Sequence, residues 1–283
     1  NQVIKGIENP KFLDIGSGRG EWLQKWRDKG QDCCGIENDR DMISLCRNKA
    51  LNIMEDDATN ALLSLPNNSV SILTMFHMIE HINHNQSIKI LSECLRVLSE
   101  DGIFIIETPS IDNLIVSTNS FYLDQTHISH INAEAIKFSM KKLGFDAIRD
   151  FYINGGPMMN DKHSKITRIL NGVAQDLLLV ATKSKTQSQL IFEKNTNWQK
   201  SLNQAPRTMD ACVDFDLRNE KIISDFQDFN SYTQRQISYI NNKLIDIDHL
   251  NVLSNDLKYI LKLLKIIKKI LLPFYRLLLI FKK

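Results

Sequence analysis

The chain has 283 residues and a formal net charge of +2, a length that suits one α/β domain of ordinary size with an appendage. Five cysteines, two adjacent at Cys33 and Cys34 and none in a C-x-x-C pair, read as reduced core residues rather than a disulfide or zinc framework. No secretory signal is visible, and because the first residue is Asn1 rather than methionine, an incomplete N-terminus is expected.

In chain order, residues 12–21 carry the most information. An apolar strand (Phe12, Leu13, Ile15) runs into glycines at 16, 18 and 20, and a helical pattern with Trp22, Leu23 and Trp26 follows at once. Glycine accepts positive φ and has no Cβ, so such a turn lets the backbone close around a ligand at a helix start. The spacing differs from the G-x-G-x-x-G of dinucleotide sites. Asp14 also stands ahead of the glycines, where it would repel a phosphate and suit an ammonium group. This Asp-x-Gly-x-Gly-x-Gly order resembles motif I of the class I S-adenosylmethionine (SAM) methyltransferases, which implies SAM as cofactor and Asp14, Gly16, Ser17, Gly18 and Gly20 as its first contacts.

The rest of the pattern follows in order. Residues 32–37 read as a second strand ending in Glu37, about 20 residues beyond the glycines, where a carboxylate accepts both ribose hydroxyl protons; Asn38 is its neighbour at the site. Residues 53–58 match the family's short acidic turn, which implies Asp57 facing the adenine amino group and Ala58 the ring, although Glu55, Asp56 and Asp57 are three acids in a row. A buried-type strand at 70–76 ends in Phe76, a further cofactor candidate. His77–Ile82, a helix over 86–98, a turn at 98–102 and a strand at 103–107 complete the resemblance over the first 110 residues. Residues 145–152 and 176–183 read as sixth and seventh strands. The expected fold is a Rossmann-like seven-stranded sheet, mostly parallel with an antiparallel last strand, followed by a C-terminal helical extension.

Domain boundaries are expected at 1–184 for the catalytic domain, 185–220 for a polar linker, 221–256 for a helical coiled-coil segment and 257–283 for a basic amphipathic tail. Ile237, Ile240, Leu244 and Ile247 step by three and four, and after a three-residue slip so do Leu250, Leu253, Leu257, Ile260, Leu264, Ile267 and Leu271. Such steps form a coiled-coil seam, with the slip read as a stammer, and favour a homo-oligomer; a helix folded back on the catalytic domain is the alternative. Residues 257–283 carry eight basic residues and no acid, so the neutral-looking chain is an acidic body of charge −6 with a basic tail. Aliphatic residues between the lysines, with Pro273 interrupting the helix, suit a helix lying on an anionic membrane surface. A nucleic-acid partner fits less well, because aromatics are few.

The acceptor is read from residues 121–136. Phe121-Tyr122-Leu123-Asp124-Gln125-Thr126-His127 resembles the Asp-x-Thr-His segment of bacterial methyltransferases of lipopolysaccharide and other surface glycans, with Ser129-His130 and Gln125 departing from their usual prolines. The resemblance implies an O-methyltransferase of a sugar hydroxyl on a glycan or lipid-linked acceptor, located at the cytoplasmic face of the bacterial inner membrane. An alcohol needs its proton removed, and His127 oriented by Asp124 is the candidate base, with His81 as a second catalytic candidate. The alternative is that Asp124 caps the turn and His127 packs beside it. His77, Glu80 and His81, completed by His127 or His130, also form a possible metal-ligand set, against which stands a packing role for the Glu-His pair. A methyltransferase for a quinone-like membrane molecule or for RNA, and an inactive scaffold, are the competing functions.

Overall fold

The structure, a computed structural model, describes residues 10–160, 165–194, 196–249 and 255–280. The chain divides into two compact units, Asn1–Leu217 and Arg218–Lys283. The first unit runs β1 (Lys11–Ile15), α1 (Glu21–Arg27), β2 (Asp32–Glu37), α2 (Arg40–Asn48), β3 (Ile53–Glu55), α3 (Ala58–Ser64), β4 (Val70–Phe76), α4 (His84–Val97), β5 (Leu98–Pro109), α5 (Leu114–Thr118), α6 (Ala133–Leu143), β6 (Ala147–Gly155), α7 (Ile166–Asn171), β7 (Ala174–Thr182) and α8 (Lys185–Gln189).

The strands form one seven-stranded sheet in the order β3-β2-β1-β4-β5-β7-β6. β1 to β5 pair in parallel, while β7 runs antiparallel to both β5 and β6. The last strand is therefore antiparallel as expected, but it inserts beside β5 and leaves β6 at the edge. Strand alternation divides the core between two faces. Leu13, Ile15, Leu73, Met75, Phe104 and Ile106 pack with Ile90, Leu91, Cys94 and Val97 of α4 and Met140 of α6. Phe12, Ile72, Ile103, Leu178 and Val180 pack on the other face with Trp26 of α1 and with Ile191, Phe192 and Trp198. Each fully buried Leu, Ile or Phe contributes ~1.5–3 kcal/mol, so both faces must be covered, as they are. All five cysteines are free, and Cys46 and Cys94 are buried.

That second face corrects the expected linker. Residues 185–201 are folded: α8 is capped by Ser184, whose hydroxyl oxygen accepts from the Gln187 amide, and is followed by a wide helical turn at Leu190–Lys194 and a 3-10 turn at Asn197–Ser201. Ile191, Phe192 and Trp198 are buried, and the Trp198 indole donates to the Ile191 carbonyl. Polar composition between α8 and Trp198 concealed three apolar residues placed to cover the sheet.

Beyond it, α9 spans Thr208–His249 and α10 spans Asn255–Ile280. Leu250, Leu253 and Asn251, at the expected slip, and Lys282 and Lys283 of the tail lie outside the described residues. Within the second unit, Ile237, Ile240 and Asn241 of α9 line a small apolar cleft with Leu264, Ile267 and Leu271 of α10, and Lys268 donates to the Asn241 side-chain carbonyl at 3.1 Å. The two registers thus meet within one chain instead of continuing as a single slipped seam. Helix α10 also continues through Pro273, which sequence reading treated as an interruption; a proline forfeits one helical hydrogen bond without necessarily ending the helix. Among the described residues no helix is long and apolar enough to cross a membrane.

Candidate active site

The strand order reverses between β1 and β4, which opens a crevice at their carboxyl ends, the usual ligand position in such sheets. The loop after β1 enters it with Gly16, Gly18 and Gly20 at φ +72°, +52° and +74°. The amides of Gly16 and Ser17 both donate to the Ile36 carbonyl, tying the loop to β2. A Cβ on Gly16 would meet the Met78 side chain at 2.9 Å, and one on Gly20, which precedes α1, would meet Leu51 Cδ1 at 2.4 Å and Cys46 Sγ at 2.8 Å. A Cβ on Gly18 would meet nothing within 4 Å. Gly16 and Gly20 therefore serve packing, whereas Gly18 keeps the crevice open.

Glu37 sits where β2 ends, and its carboxylate gathers three backbone amides: Gly18 at 2.7 Å on Oε2, and Asn38 at 2.9 Å and Asp39 at 3.0 Å on Oε1. Asp57 caps α3 by accepting from the Thr59 amide. These groups border one cavity of about 670 Å³, lined by Gly16, Gly18, Glu37, Asn38, Asp56, Asp57 and Ala58 on one side and by His77, Met78, His81, Asp124 and Thr126 on the other. A carboxylate at the β2 terminus, an open glycine and a cavity of this size fit a nucleoside with an amino-acid end.

Four expected cofactor residues do not line that cavity. Asp14 is buried; it lies opposite Thr74 of β4 in register, and its Oδ1 accepts from the Thr74 hydroxyl at 2.6 Å. Burial pushes its pKa up to about 7, against the Thr74 hydrogen bond, with Glu37 adding to the rise. Its Oδ1 thus faces Thr74, and Asp14 stands outside the lining of the cavity to which sequence reading assigned it. Ser17 is buried with its hydroxyl on the Asp14 and Ile36 carbonyls, Gly20 is enclosed by Leu51 and Cys46, and Phe76 packs edge-on against Trp22. These three shape the loop from behind.

On the acceptor side, the Glu80 carbonyl accepts from the amides of Ile128 and Ser129, and the Ser129 hydroxyl donates to the Ile82 carbonyl. These bonds hold the 124–130 loop against the turn that follows β4. Within it, Asp124 Oδ1 accepts from the Thr126 amide at 2.8 Å and the Thr126 hydroxyl at 2.6 Å, bonds that lower the Asp124 pKa. The same hydroxyl lies 2.7 Å from His81 Nδ1. A hydroxyl has one proton to give, so Thr126 accepts from His81, and in the neutral ring Nε2 is left bare. His127 Nδ1 lies 2.7 Å from the Phe121 carbonyl, which can only accept; its Nε2 is likewise bare. The two rings meet edge to face, centroids 4.6 Å apart.

The expected His127–Asp124 pair is corrected here. Asp124 Oδ2 is 3.9 Å from His127 Nε2, too far for a hydrogen bond, because the carboxylate is engaged by Thr126 and reaches His81 through it. His81 borders the cavity and His127 stands behind it. Thr126, whose hydroxyl joins Asp124 to His81, was not singled out from the sequence; its place inside Asp-x-Thr-His was the available signal.

His77, in the left-handed region at φ +49°, has Nδ1 3.2 Å from Glu80 Oε1 and Nε2 3.5 Å from Glu107 Oε1 and 4.0 Å from Asp176 Oδ1. The Glu107 carboxylate first, and then that of Glu80, raise its pKa to about 10, against desolvation. Burial raises the Asp176 pKa, opposed by a hydrogen bond from Asn154. The sequence-expected metal set therefore separates. Ligand atoms of Glu80, His81 and His127 lie within 4.8 Å of one another, His77 groups with Glu107 and Asp176, and His130 turns Nε2 to the Ser117 carbonyl.

A sequence profile described as "Methyltransferase domain" matches residues 4–149, just over half of the chain. A Bacillus subtilis protein named as the uncharacterised methyltransferase YcgJ is 25% identical, over 59% of this chain and 73% of its own length. A SAM-dependent methyltransferase of Archaeoglobus fulgidus, of known crystal structure, is 27% identical with a TM-score of 0.56, covering 64% of this chain and 88% of that one. The phosphoethanolamine N-methyltransferase 2 of Haemonchus contortus, solved with S-adenosylhomocysteine, shares the fold at 18% identity and a TM-score of 0.50, over 65% of this chain and 51% of that one. With the glycine loop, Glu37 and the cavity they border, these matches establish that the chain belongs to the class I SAM-dependent methyltransferases.

Proposed function

We propose that the enzyme is an O-methyltransferase acting on a sugar hydroxyl of a bacterial cell-surface glycan, of lipopolysaccharide or capsule type. The observation that carries this reading is the His81 ring: it borders the cavity, a carboxylate fixes it through Thr126, and its Nε2 lone pair is free. An alcohol acceptor requires such a group and an already basic acceptor does not. The cofactor supplies a methyl group activated on a sulfonium. Glu37 and Gly18 would hold the cofactor, Asp124 and Thr126 aim His81, and His81 Nε2 would take the hydroxyl proton as the acceptor oxygen bonds the methyl carbon and the methyl–sulfur bond breaks, leaving a neutral thioether.

The tail supports a membrane-bound setting. Tyr259, Ile260, Leu263, Ile266 and Ile270 of α10 are exposed among Lys258, Lys262, Lys265 and Lys269, an arrangement suited to an anionic lipid surface such as the inner leaflet where lipid-linked sugars are assembled. Exposed Ile222, Phe226 and Phe229 of α9 leave apolar surface for self-association.

One observation favours a second acceptor class. Glu80, Glu107 and Asp176 place more negative charge around His77 than one imidazolium balances, which suits a cationic amine. Transfer of labelled methyl from SAM to lipid-linked oligosaccharides and to an amine panel separates the two. Label in a sugar methyl ether is expected; label in amines alone contradicts the glycan reading.

A further inference from the structure

We propose that Glu80, His81 and His127 form a binding site for one divalent transition-metal cation just behind the acceptor side of the cavity, which His81 borders. The site deepens the acceptor assignment above, yet it is tested through the metal itself, so either reading can fail alone.

Three independent features converge. First, Glu80 is fully buried and its Oε1 has no hydrogen-bond partner, although Oε2 accepts from the Thr108 hydroxyl at 3.0 Å. A buried carboxylate oxygen without a hydrogen bond is costly; its ion pair with His77 Nδ1 at 3.2 Å offsets part of that cost but lacks hydrogen-bond alignment, which leaves a lone pair for a second cationic partner. Second, both histidines are arranged as metal ligands usually are, each giving its Nδ1 proton to an outer partner: His81 to Thr126, itself held by Asp124, and His127 to the Phe121 carbonyl. Both Nε2 lone pairs are left to coordinate. Third, the ligand atoms of the three groups already lie within 4.8 Å of one another. Side-chain shifts of about an ångström close them on one ion with bonds of ~2.0–2.2 Å.

Two imidazoles and one carboxylate suit manganese, iron, cobalt or zinc rather than calcium or magnesium. Three protein ligands leave positions open for an acceptor oxygen, as catalytic metal sites do. A hydroxyl on the ion is acidified, so its proton leaves to solvent and the ion performs the task that falls to His81 Nε2 in the metal-free enzyme.

The test titrates Co2+ into the chelator-treated full-length protein, following visible absorption and the bound metal per chain. One ion per chain with saturable affinity is expected in the wild type, weakened about 100-fold or more in His81→Ala and in His127→Ala. His84→Ala, outside the set, should bind like the wild type. Glu80→Gln removes charge from a buried position and can unfold the chain, so the two histidine variants decide, each checked by circular dichroism. Absence of saturable binding in the wild type, or binding that survives both histidine variants unchanged, overturns the proposal; the latter places the ion elsewhere, such as at His77, Glu107 and Asp176.

Discussion

At the residue scale, Asp14 shows how a legible motif hides the direction of a side chain. The Asp-x-Gly-x-Gly-x-Gly order was readable and so was the strand, but period-two alternation puts Asp14 on the face of Phe12, opposite Leu13 and Ile15, and the register then delivers it to Thr74. Only the pairing of β1 with β4, separated by some 60 residues, decides that outcome. A pH dependence follows. With a pKa of about 7 in the fold against 3.8 for an ordinary aspartate, the native state keeps a proton that the unfolded chain releases. Stability should therefore fall as pH rises from about 4 to about 7, by on the order of 4 kcal/mol at most. In Asp14→Asn this component should vanish, so urea unfolding at about pH 4.5 and pH 7.5 should show a smaller difference than in the wild type; equal differences would place the Asp14 pKa near its ordinary value. His77 titrates with the opposite charge. Its stabilising charge is complete below about 6.5 and is lost as pH rises through about 10, so NMR should find a protonated imidazolium at pH 8. A neutral ring there would contradict the carboxylate cage.

At the element scale, the glycine loop divides its labour. Gly20→Ala forces a methyl into Leu51 and Cys46 at positive φ, and should cost ~2–4 kcal/mol, lowering the melting temperature by roughly 10 °C. Gly18→Ala meets open space and should cost only ~1 kcal/mol, while its methyl group enters the cavity and weakens cofactor binding. Thermal melts with and without SAM check both; a Gly20→Ala protein as stable as the wild type would contradict the enclosed loop. The seven strands were legible because most are apolar runs bounded by Gly, Asp or Pro. The pairing within the 124–130 loop was not, because Asp124 reaches His81 only after the Glu80 carbonyl has captured the amides of Ile128 and Ser129. Nothing local distinguishes His127 from His81 as the cavity-facing ring.

At the scale of the whole molecule, the steps of three and four in residues 237–271 showed the helices but not their partners. An apolar seam marks a face to be covered and leaves open whether a second chain or the same chain covers it. Leu264, Ile267 and Leu271 share a cleft with Ile237 and Ile240 of their own chain. Lys268 donates to Asn241 within that cleft, whereas Lys265 and Lys269 are exposed. Removing 257–283 should abolish co-sedimentation with anionic liposomes, each charge near the lipid contributing ~1 kcal/mol, and high salt should weaken the intact protein only in part; equal sedimentation of both forms would contradict a membrane role for the tail. The central claim assigns the cofactor to the cavity bordered by Glu37 and Gly18, and calorimetric titration of SAM into the wild type and Glu37→Ala tests it most directly. Loss of the charged hydrogen bonds should weaken binding by about 100-fold or more, with one SAM per chain in the wild type. Equal affinity in a Glu37→Ala protein that remains folded would place the cofactor outside this cavity.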